Sequence, residues 1–259
     1  MFASERIKKI KQTLLEYKKV DVSHLSQILS VSEVTVRKDL ERLENEGFLT
    51  KIHGGAVLNE LSPLDIPHQL VDIPELEHKR MIGLVAAQMI QPNEAVFIGS
   101  GTTCLQIAKN LKETKNVTVV TNNLSVAVEL SRLPSLRVNV TGGELRVEQF
   151  TQSLIGPKVI ESLQGIYVDK AFIGVNGISL KRGYTVQDSN EESIVSEIAK
   201  SAEELIVVAD HSKFNKIAFT QLGEITMADK VITDELVPEE YIRFSFENNT
   251  PMFTTYQLD

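Results

Sequence analysis

The sequence holds one cysteine, Cys104, in 259 residues. A single thiol excludes an intrachain disulfide framework and suits a reducing compartment. Nowhere does an apolar run approach the roughly 18 residues that a membrane span requires. The first nineteen residues alternate charged and apolar side chains, so they lack the apolar core of a secretory leader. Internal repeats and low-complexity tracts are missing too. These absences point to a soluble cytoplasmic protein with no membrane partner.

Overall positive charge is also lacking: the formal net charge is −8. An acidic chain does not coat nucleic acid indiscriminately, because its field repels phosphate. The charge is uneven, however. Of 27 Lys/Arg and 35 Asp/Glu, ten and eight fall within residues 1–57, a net of +2. The seventeen and 27 that remain give −10 for the rest. Attraction for phosphate is therefore local to the N-terminal segment. That favours a sequence-specific, dimeric binder over a general DNA-coating protein.

Residues 32–43 organise that segment. Ser32 is a good N-cap, and Val36, Leu40 and Leu43 at i, i+4, i+7 make one apolar stripe. The other faces carry Val34, Thr35, Arg37, Lys38 and Arg42. A dry stripe behind, with methyl, hydroxyl and guanidinium groups in front, suits a DNA major groove. Upstream, residues 23–29 read as a short helix capped by Ser23, followed by the turn Ser30-Val31. Further upstream, 4–18 read as a helix capped by Ser4, with Ile7, Ile10, Leu14 and Leu15 inside. Gly47 stops the second long helix as a C′ glycine. Residues 48–57 read as two short strands around a glycine turn. Two helices, a tight turn, a groove-ready helix and a hairpin make a winged helix-turn-helix. With Val34-Thr35-Val36-Arg37-Lys38-Asp39-Leu40 and Lys51-Ile52-His53-Gly54-Gly55-Ala56, the segment resembles the DeoR/GlpR family of bacterial transcriptional regulators. The resemblance implies binding to double-stranded operator DNA through Ser32, Val34, Thr35, Arg37, Lys38 and Arg42. For His53, a phosphate contact and a turn-making role both stay open.

Pro63, Pro67 and Pro74 break the pattern over 58–75, which reads as a linker between a DNA-binding domain at 1–57 and a larger domain at 76–259. From 76 onward helical and strand patterns alternate, as in an α/β domain with a largely parallel sheet. Strands are expected at 95–98, 117–121, 136–141, 170–175, 204–209 and 230–233. Helices are expected at 76–90, 124–132, 157–163, 190–202 and 238–244, and one after the Gly99–Thr103 loop. Residues 176–189 read as a long polar loop.

In an open parallel sheet, ligands bind outside the carboxyl ends of the strands, where strand order switches. Gly99-Ser100-Gly101-Thr102-Thr103 follows one such end and opens a helix, which favours an anion. Asn122-Asn123, Gly142-Gly143-Glu144, Asn176-Gly177, Glu191-Glu192 and Asp210-His211-Ser212-Lys213 follow or adjoin others. Together these clusters resemble the sensor half of the DeoR/GlpR family, which is itself similar to ribose-5-phosphate isomerase. The resemblance implies an effector that is a phosphorylated sugar or polyol, its phosphate at Ser100, Gly101, Thr102 and Thr103, with Lys213 as the basic partner. Asn122, Asn123, Gly143, Glu144, Asn176 and Glu191 complete the implied site, and Arg146 and Lys181 are weaker candidates. Two positions depart from the family: Gly99 and Asn176 stand where Asp is usual, removing negative charge beside the ligand.

An aldose-ketose isomerase needs a carboxylate base and groups that polarise the sugar oxygens. Ile173 and Asn176 occupy places where the isomerase has carboxylates, and Glu191 or Glu192 matches its base. The acid network is dismantled, so the expectation is a sensor and no enzyme: a repressor of a carbohydrate-metabolism operon, relieved by its effector, forming a dimer or tetramer. The alternative is an isomerase with an accessory DNA-binding domain. No cofactor is expected, and the five histidines show no metal-ligand spacing along the chain.

Overall fold

The computed structural model describes residues 3–45, 48–59, 73–111 and 116–255. The chain divides into two compact units, Met1–Asp72 and Ile73–Asp259. The first contains α1 (Ala3–Tyr17), β1 (Lys19–Asp21), α2 (Val22–Leu29), α3 (Glu33–Asn45), β2 (Leu49–Ile52) and β3 (Gly55–Leu58). Ile10 and Leu14, Leu25 and Leu29, and Val36, Leu40 and Leu43 meet in one core with Phe48, Leu49 and Ala56. Helical spacing places each set on one stripe, and each buried large side chain contributes about 1.5–3 kcal/mol. Ser30, left-handed at φ 52°, makes the turn, and Ser32 Oγ accepts from Thr35 N at 3.3 Å to cap α3.

Several expectations are corrected here. Ser23 does not cap α2, which starts at Val22 with Asp21 at the cap position. The residues before it form a strand, pairing antiparallel as Lys19↔Val57, Val20↔Ala56 and Asp21↔Gly55. Three residues are too few for a visible alternation. Ser4 lies inside α1 rather than before it. Asp39 is buried: Arg6 Nε and Nη2 donate to its two oxygens at 2.5 and 3.1 Å, tying α1 to α3. Gly47 and the side chain of Leu15 lie outside the described residues, as do Pro63 and Pro67.

The wing is the sheet β1-β3-β2. Its glycines have different reasons. A Cβ on Gly55 would lie 2.1 Å from the carbonyl oxygen of Val20, so the β1–β3 pairing needs bare backbone there. Gly54 has open space but sits at φ +79°, and its carbonyl accepts from Val22 N at 2.8 Å.

The second unit runs α4 (Leu76–Gln88), β4 (Ala95–Ile98), α5 (Thr102–Asn110), β5 (Thr118–Thr121), α6 (Leu124–Leu130), β6 (Arg137–Val140), β7 (Glu144–Val147), β8 (Gln152–Ile155), α7 (Pro157–Leu163), β9 (Val168–Gly174), β10 (Gly177–Ser179), β11 (Gly183–Val186), α8 (Ser189–Ala199), β12 (Ala202–Val208), β13 (Thr220–Gly223), β14 (Lys230–Asp234), α9 (Glu239–Glu247) and β15 (Met252–Thr255). Seven strands form one parallel sheet in the order β15-β14-β12-β9-β4-β5-β6. Alternation sends Val96 and Ile98 to a core with Ile82, Leu105, Ile107 and Val126 of α4, α5 and α6. Phe97, Ala171 and Ile173 face the opposite core with Val159, Ile194, Ile198 and Tyr241 of α7, α8 and α9. Such a sheet is apolar on both faces, which is why its strands read as short unbroken apolar runs.

The chain enters this sheet at β4, builds outward through β5 and β6, then returns to the other side of β4 for β9. The switch in strand order therefore falls between β4 and β9. Residues 176–189 are not a loop: β10 and β11 pair antiparallel, and β13 joins them in a separate sheet. Residues 144–155 likewise hold the hairpin β7–β8. Both were hidden by glycines and by strands of three or four residues.

Gly54→Ala should cost only left-handed strain, about 1–2 kcal/mol. Gly55→Ala should cost more, because its Cβ meets backbone that can only move by parting β1 from β3. Urea denaturation of the full chain, following the first unit's transition, measures both. Equal losses would contradict the close β1–β3 approach.

Candidate functional site

Two surfaces gather polar groups that the cores do not need. On α3, Val34, Arg37, Lys38 and Arg42 are exposed and Thr35 is half-buried. Val34 is 64% exposed, unusual for a β-branched apolar residue that could have faced the core. Ser32 Oγ and Thr35 Oγ1 are 2.9 Å apart at the helix start. Arg37 pairs with Glu33 at 3.3 Å, an exposed i, i+4 contact worth only about 0.3–0.5 kcal/mol. That bond is weak enough to be exchanged for a stronger partner. Lys51 holds Glu44 through its backbone N–H at 2.9 Å and its Nζ at 3.1 Å, fixing β2 against the end of α3. His53 is exposed on the turn between β2 and β3.

The second surface is a cleft of about 100 Å³ in the second unit, lined by Ser100, Gly101, Thr102, Thr103, Glu148, Gly174, Val175, Asn176, Glu191 and Lys213. It opens at the switch point. Ser100–Thr103 leave the end of β4, Gly174–Asn176 leave the end of β9, and Lys213 sits in the short 3-10 turn after β12. Gly101 caps α5 at φ +95°, and the first-turn N–H groups of a helix have no intrahelical partner. The wall at Ser100–Thr103 therefore offers hydroxyls, backbone donors and the positive helix end to one ligand group.

Opposite stands a charged cluster. Arg146 on β7 pairs with Glu148 at 3.2 Å, with Asp188 at 3.3 Å and with Glu191 in a shorter contact. Burial pushes the Glu191 carboxyl above the ordinary carboxylate range, and Arg146 draws it only part of the way back. Behind Lys213, the wholly buried Asp210 faces the buried Lys79 at 3.4 Å. Burial alone would raise the Asp210 carboxyl, but Ser212 together with Lys79 and Lys213 holds it below its usual value. Under the Ser100–Thr103 turn, burial pushes the Cys104 thiol up to about 12, so it stays protonated and unreactive.

A family model described as the DeoR-like helix-turn-helix domain matches residues 6–61, and one described as the DeoR C terminal sensor domain matches 75–235. The chain belongs to the DeoR family. Relatives within it include the HTH-type transcriptional regulator GolR of Listeria innocua, 32% identical over 92% of this chain and 92% of that one. The HTH-type transcriptional repressor GlcR of Bacillus subtilis is 30% identical over 99% and 98%. Among solved structures, ribose 5 phosphate isomerase A from Neisseria gonorrhoeae aligns over 54% of each chain, with 17% identity and a TM-score of 0.40. The protein is a DNA-binding transcriptional regulator of the DeoR family with a separate α/β sensor unit. No helix among the described residues is long and apolar enough to cross a membrane.

Within this DeoR-family sensor unit, the cleft gathers Ser100, Gly101, Thr102, Thr103, Asn176, Glu191 and Lys213. Four other expected residues lie elsewhere. Asn123 is buried as the cap of α6, its Oδ1 accepting from Ser125 N and Val126 N. Asn122 donates to Leu154 O at 3.0 Å and lines a smaller neighbouring cavity with Ser100 and Glu191. Gly143 is packed against Ile155 and Val159, and Glu144 is exposed at the start of β7. Between the adjacent glutamates, Glu191 lines the cleft while Glu192 bonds Ser193 and Ser196. Lys181 is exposed on the turn between β10 and β11. Glu148, Gly174 and Val175 were missed. Gly174 was findable as the last residue of the strand beside the switch, whereas Glu148 depends on the unseen hairpin.

Arg146→Gln should raise the Glu191 carboxyl further, since the charge that counters burial is lost. A carboxyl group raised on folding stabilises the fold below its unfolded pKa, and that contribution disappears as pH rises through the folded value. The variant should therefore lose more stability than wild type between mildly acidic and neutral pH. Carbon-detected NMR titration of the carboxylates and urea melts at the two pH values measure this. An unmoved Glu191 would contradict the assignment of Arg146 as its counter-charge.

Proposed function

We propose that the protein is a cytoplasmic repressor of a carbohydrate-metabolism operon, released from its operator by a phosphorylated sugar or polyol bound in the sensor cleft. The observation that carries this reading is the pairing, in one cleft, of the Ser100–Thr103 helix start with Lys213. Such a wall takes a phosphate, and Asn176 and Glu191 supply the hydrogen-bonding edge that sugar hydroxyls require. Asn176 already orients itself by accepting from Gln187 N at 3.0 Å. A sensor without turnover is the favoured role, because Ile173 is a core residue, the Asn176 carboxamide is neither acid nor base near neutral pH, and the carboxylates of Glu191 and Glu148 are both tied to Arg146. The operator-reading groups are Val34, Thr35, Arg37, Lys38 and Arg42 on α3, with Ser32 at its start and His53 in the wing. The regulator acts as a homo-oligomer, whose symmetry two-fold operator half-sites would mirror.

Arg37→Ala should cost about 1–3 kcal/mol of operator affinity if Arg37 reads a base, and Lys38→Ala should lower the salt dependence as a phosphate contact does. Fluorescence anisotropy with operator DNA measures both. Unchanged binding by the double variant would remove α3 as the reading helix.

Effectors are found by thermal shift against phosphorylated sugars, since a ligand that binds only the native state must raise its melting temperature. Lys213→Ala should weaken the effector at least tenfold, the loss of a charge-assisted bond of about 1.5–3 kcal/mol, and leave effector-free operator affinity intact. An unchanged effector response would take Lys213 out of the site. NMR of the same sugars incubated with protein should show no conversion. Turnover abolished by Glu191→Gln would restore the isomerase reading.

A further inference from the structure

Beside the Lys213 turn, two histidines far apart in sequence come together. The rings of His78 on α4 and His211 in the 3-10 turn meet edge to face, with centroids 5.0 Å apart. Glu75 joins them: its Oε2 is 3.0 Å from His78 Nδ1 and 3.9 Å from His211 Nε2. One ligand atom from each of the three lies within 4.8 Å of the others. A tetrahedral zinc-class ion with bonds of about 2.0–2.2 Å needs its ligand atoms about 3.3–3.5 Å apart. The two Glu75 spacings, 3.0 Å to His78 and 3.9 Å to His211, lie on either side of that value.

The surroundings prepare these atoms for a metal. His211 Nδ1 lies 3.1 Å from Asp234 Oδ1. Asp234 is wholly buried and is fixed by the backbone N–H groups of His211 at 2.7 Å and Leu236 at 3.0 Å. In the tautomer that carries its proton on Nδ1, His211 donates to this carboxylate and its Nε2 lone pair is free, the arrangement that orients metal-ligating histidines. Glu235 adds a second carboxylate 3.8 Å from His78 Nε2. Of the two nearby lysines, Lys213 lies in the same turn as His211, and Lys79 is occupied by Asp210 and by the Pro74 carbonyl. Glu75 itself sits at φ +55°, left-handed and with no capping bond, a conformation that is held rather than chosen.

We propose that Glu75, His78 and His211 bind one divalent transition-metal ion of the zinc class, with Asp234 as the positioning residue for His211. The bound ion fastens the segment entering α4 to the turn that carries Lys213. It is independent of the sugar-phosphate reading, because none of the three ligands lines the cleft.

Tag-free full-length protein, stripped with a chelator and dialysed, is titrated with zinc chloride by calorimetry. Wild type should bind one equivalent per chain. Glu75→Gln, His78→Gln and His211→Gln should each weaken that event at least tenfold, and Asp234→Asn should weaken it about 10–100-fold as loss of an outer-shell partner does. Cobalt chloride in place of zinc should give a visible absorption band in wild type that the three ligand variants lose. Should His211→Gln or Asp234→Asn not fold by circular dichroism, the half-exposed Glu75 and His78 variants decide. No stoichiometric zinc binding in wild type, or binding unchanged in Glu75→Gln and His78→Gln, overturns the proposal.

Discussion

Strand β4 is paired on both sides, to β5 through Ala95↔Thr118 to Ile98↔Thr121 and to β9 through Val96↔Lys170 to Ile98↔Phe172. Because the chain built β5 and β6 before returning to β9, the connections leaving β4 and β9 depart in opposite directions and open a crevice between them. The polar groups that line the sensor cleft are arranged around that gap. Below it the sheet is apolar on both faces, with Ile98 and Phe172 in one layer and Phe97 and Ile173 in the other. The carboxyl edge is the place where backbone N–H groups are not already committed to a ladder. A ligand site there displaces no core contact.

Charge is spent in the sensor unit on position as much as on binding. Arg146 is enclosed by three carboxylates, and Lys79 is sealed against Asp210. Taking one partner from such a pair leaves a charge in low dielectric, which is costlier than the pair is favourable. These contacts therefore lock the geometry of Glu191 and of the 210–213 turn more than they add to stability. Lys213 and Glu191 then approach the cleft from frames held by ion pairs. The first unit uses the same device where Arg6 grips Asp39 and so sets the angle between α1 and α3.

Long elements with one strong period were legible in the sequence. The stripe Val36, Leu40, Leu43 and the strand Ala95–Ile98 appear where the pattern puts them, and Ser32 caps α3 as its hydroxyl suggests. Seven of the expected positions meet in one cleft, six of them because the loop after a parallel strand points to the same edge as its neighbours, and Glu191 from the start of α8. What stayed hidden is what depends on pairing partners distant in sequence. The strand Lys19–Asp21 exists through β3, and the hairpin carrying Arg146 and Glu148 exists through tertiary packing. Asn123 shows the opposite failure: a polar residue at a strand end reads as a ligand group, although it satisfies the N–H groups of the next helix. The histidine pair is the extreme case, since 133 residues separate His78 from His211 and no local spacing connects them.

The lone thiol of Cys104 has a practical consequence. It is wholly buried in α5, one residue past the hydroxyl-rich turn, and the carbonyl of Phe172 lies 3.8 Å from its sulfur. A thiol reagent can reach it only through local opening of its surroundings, so labelling of the native chain reports such openings. The chain thus carries one built-in probe of local opening beside the cleft, with no second cysteine to confuse the reading.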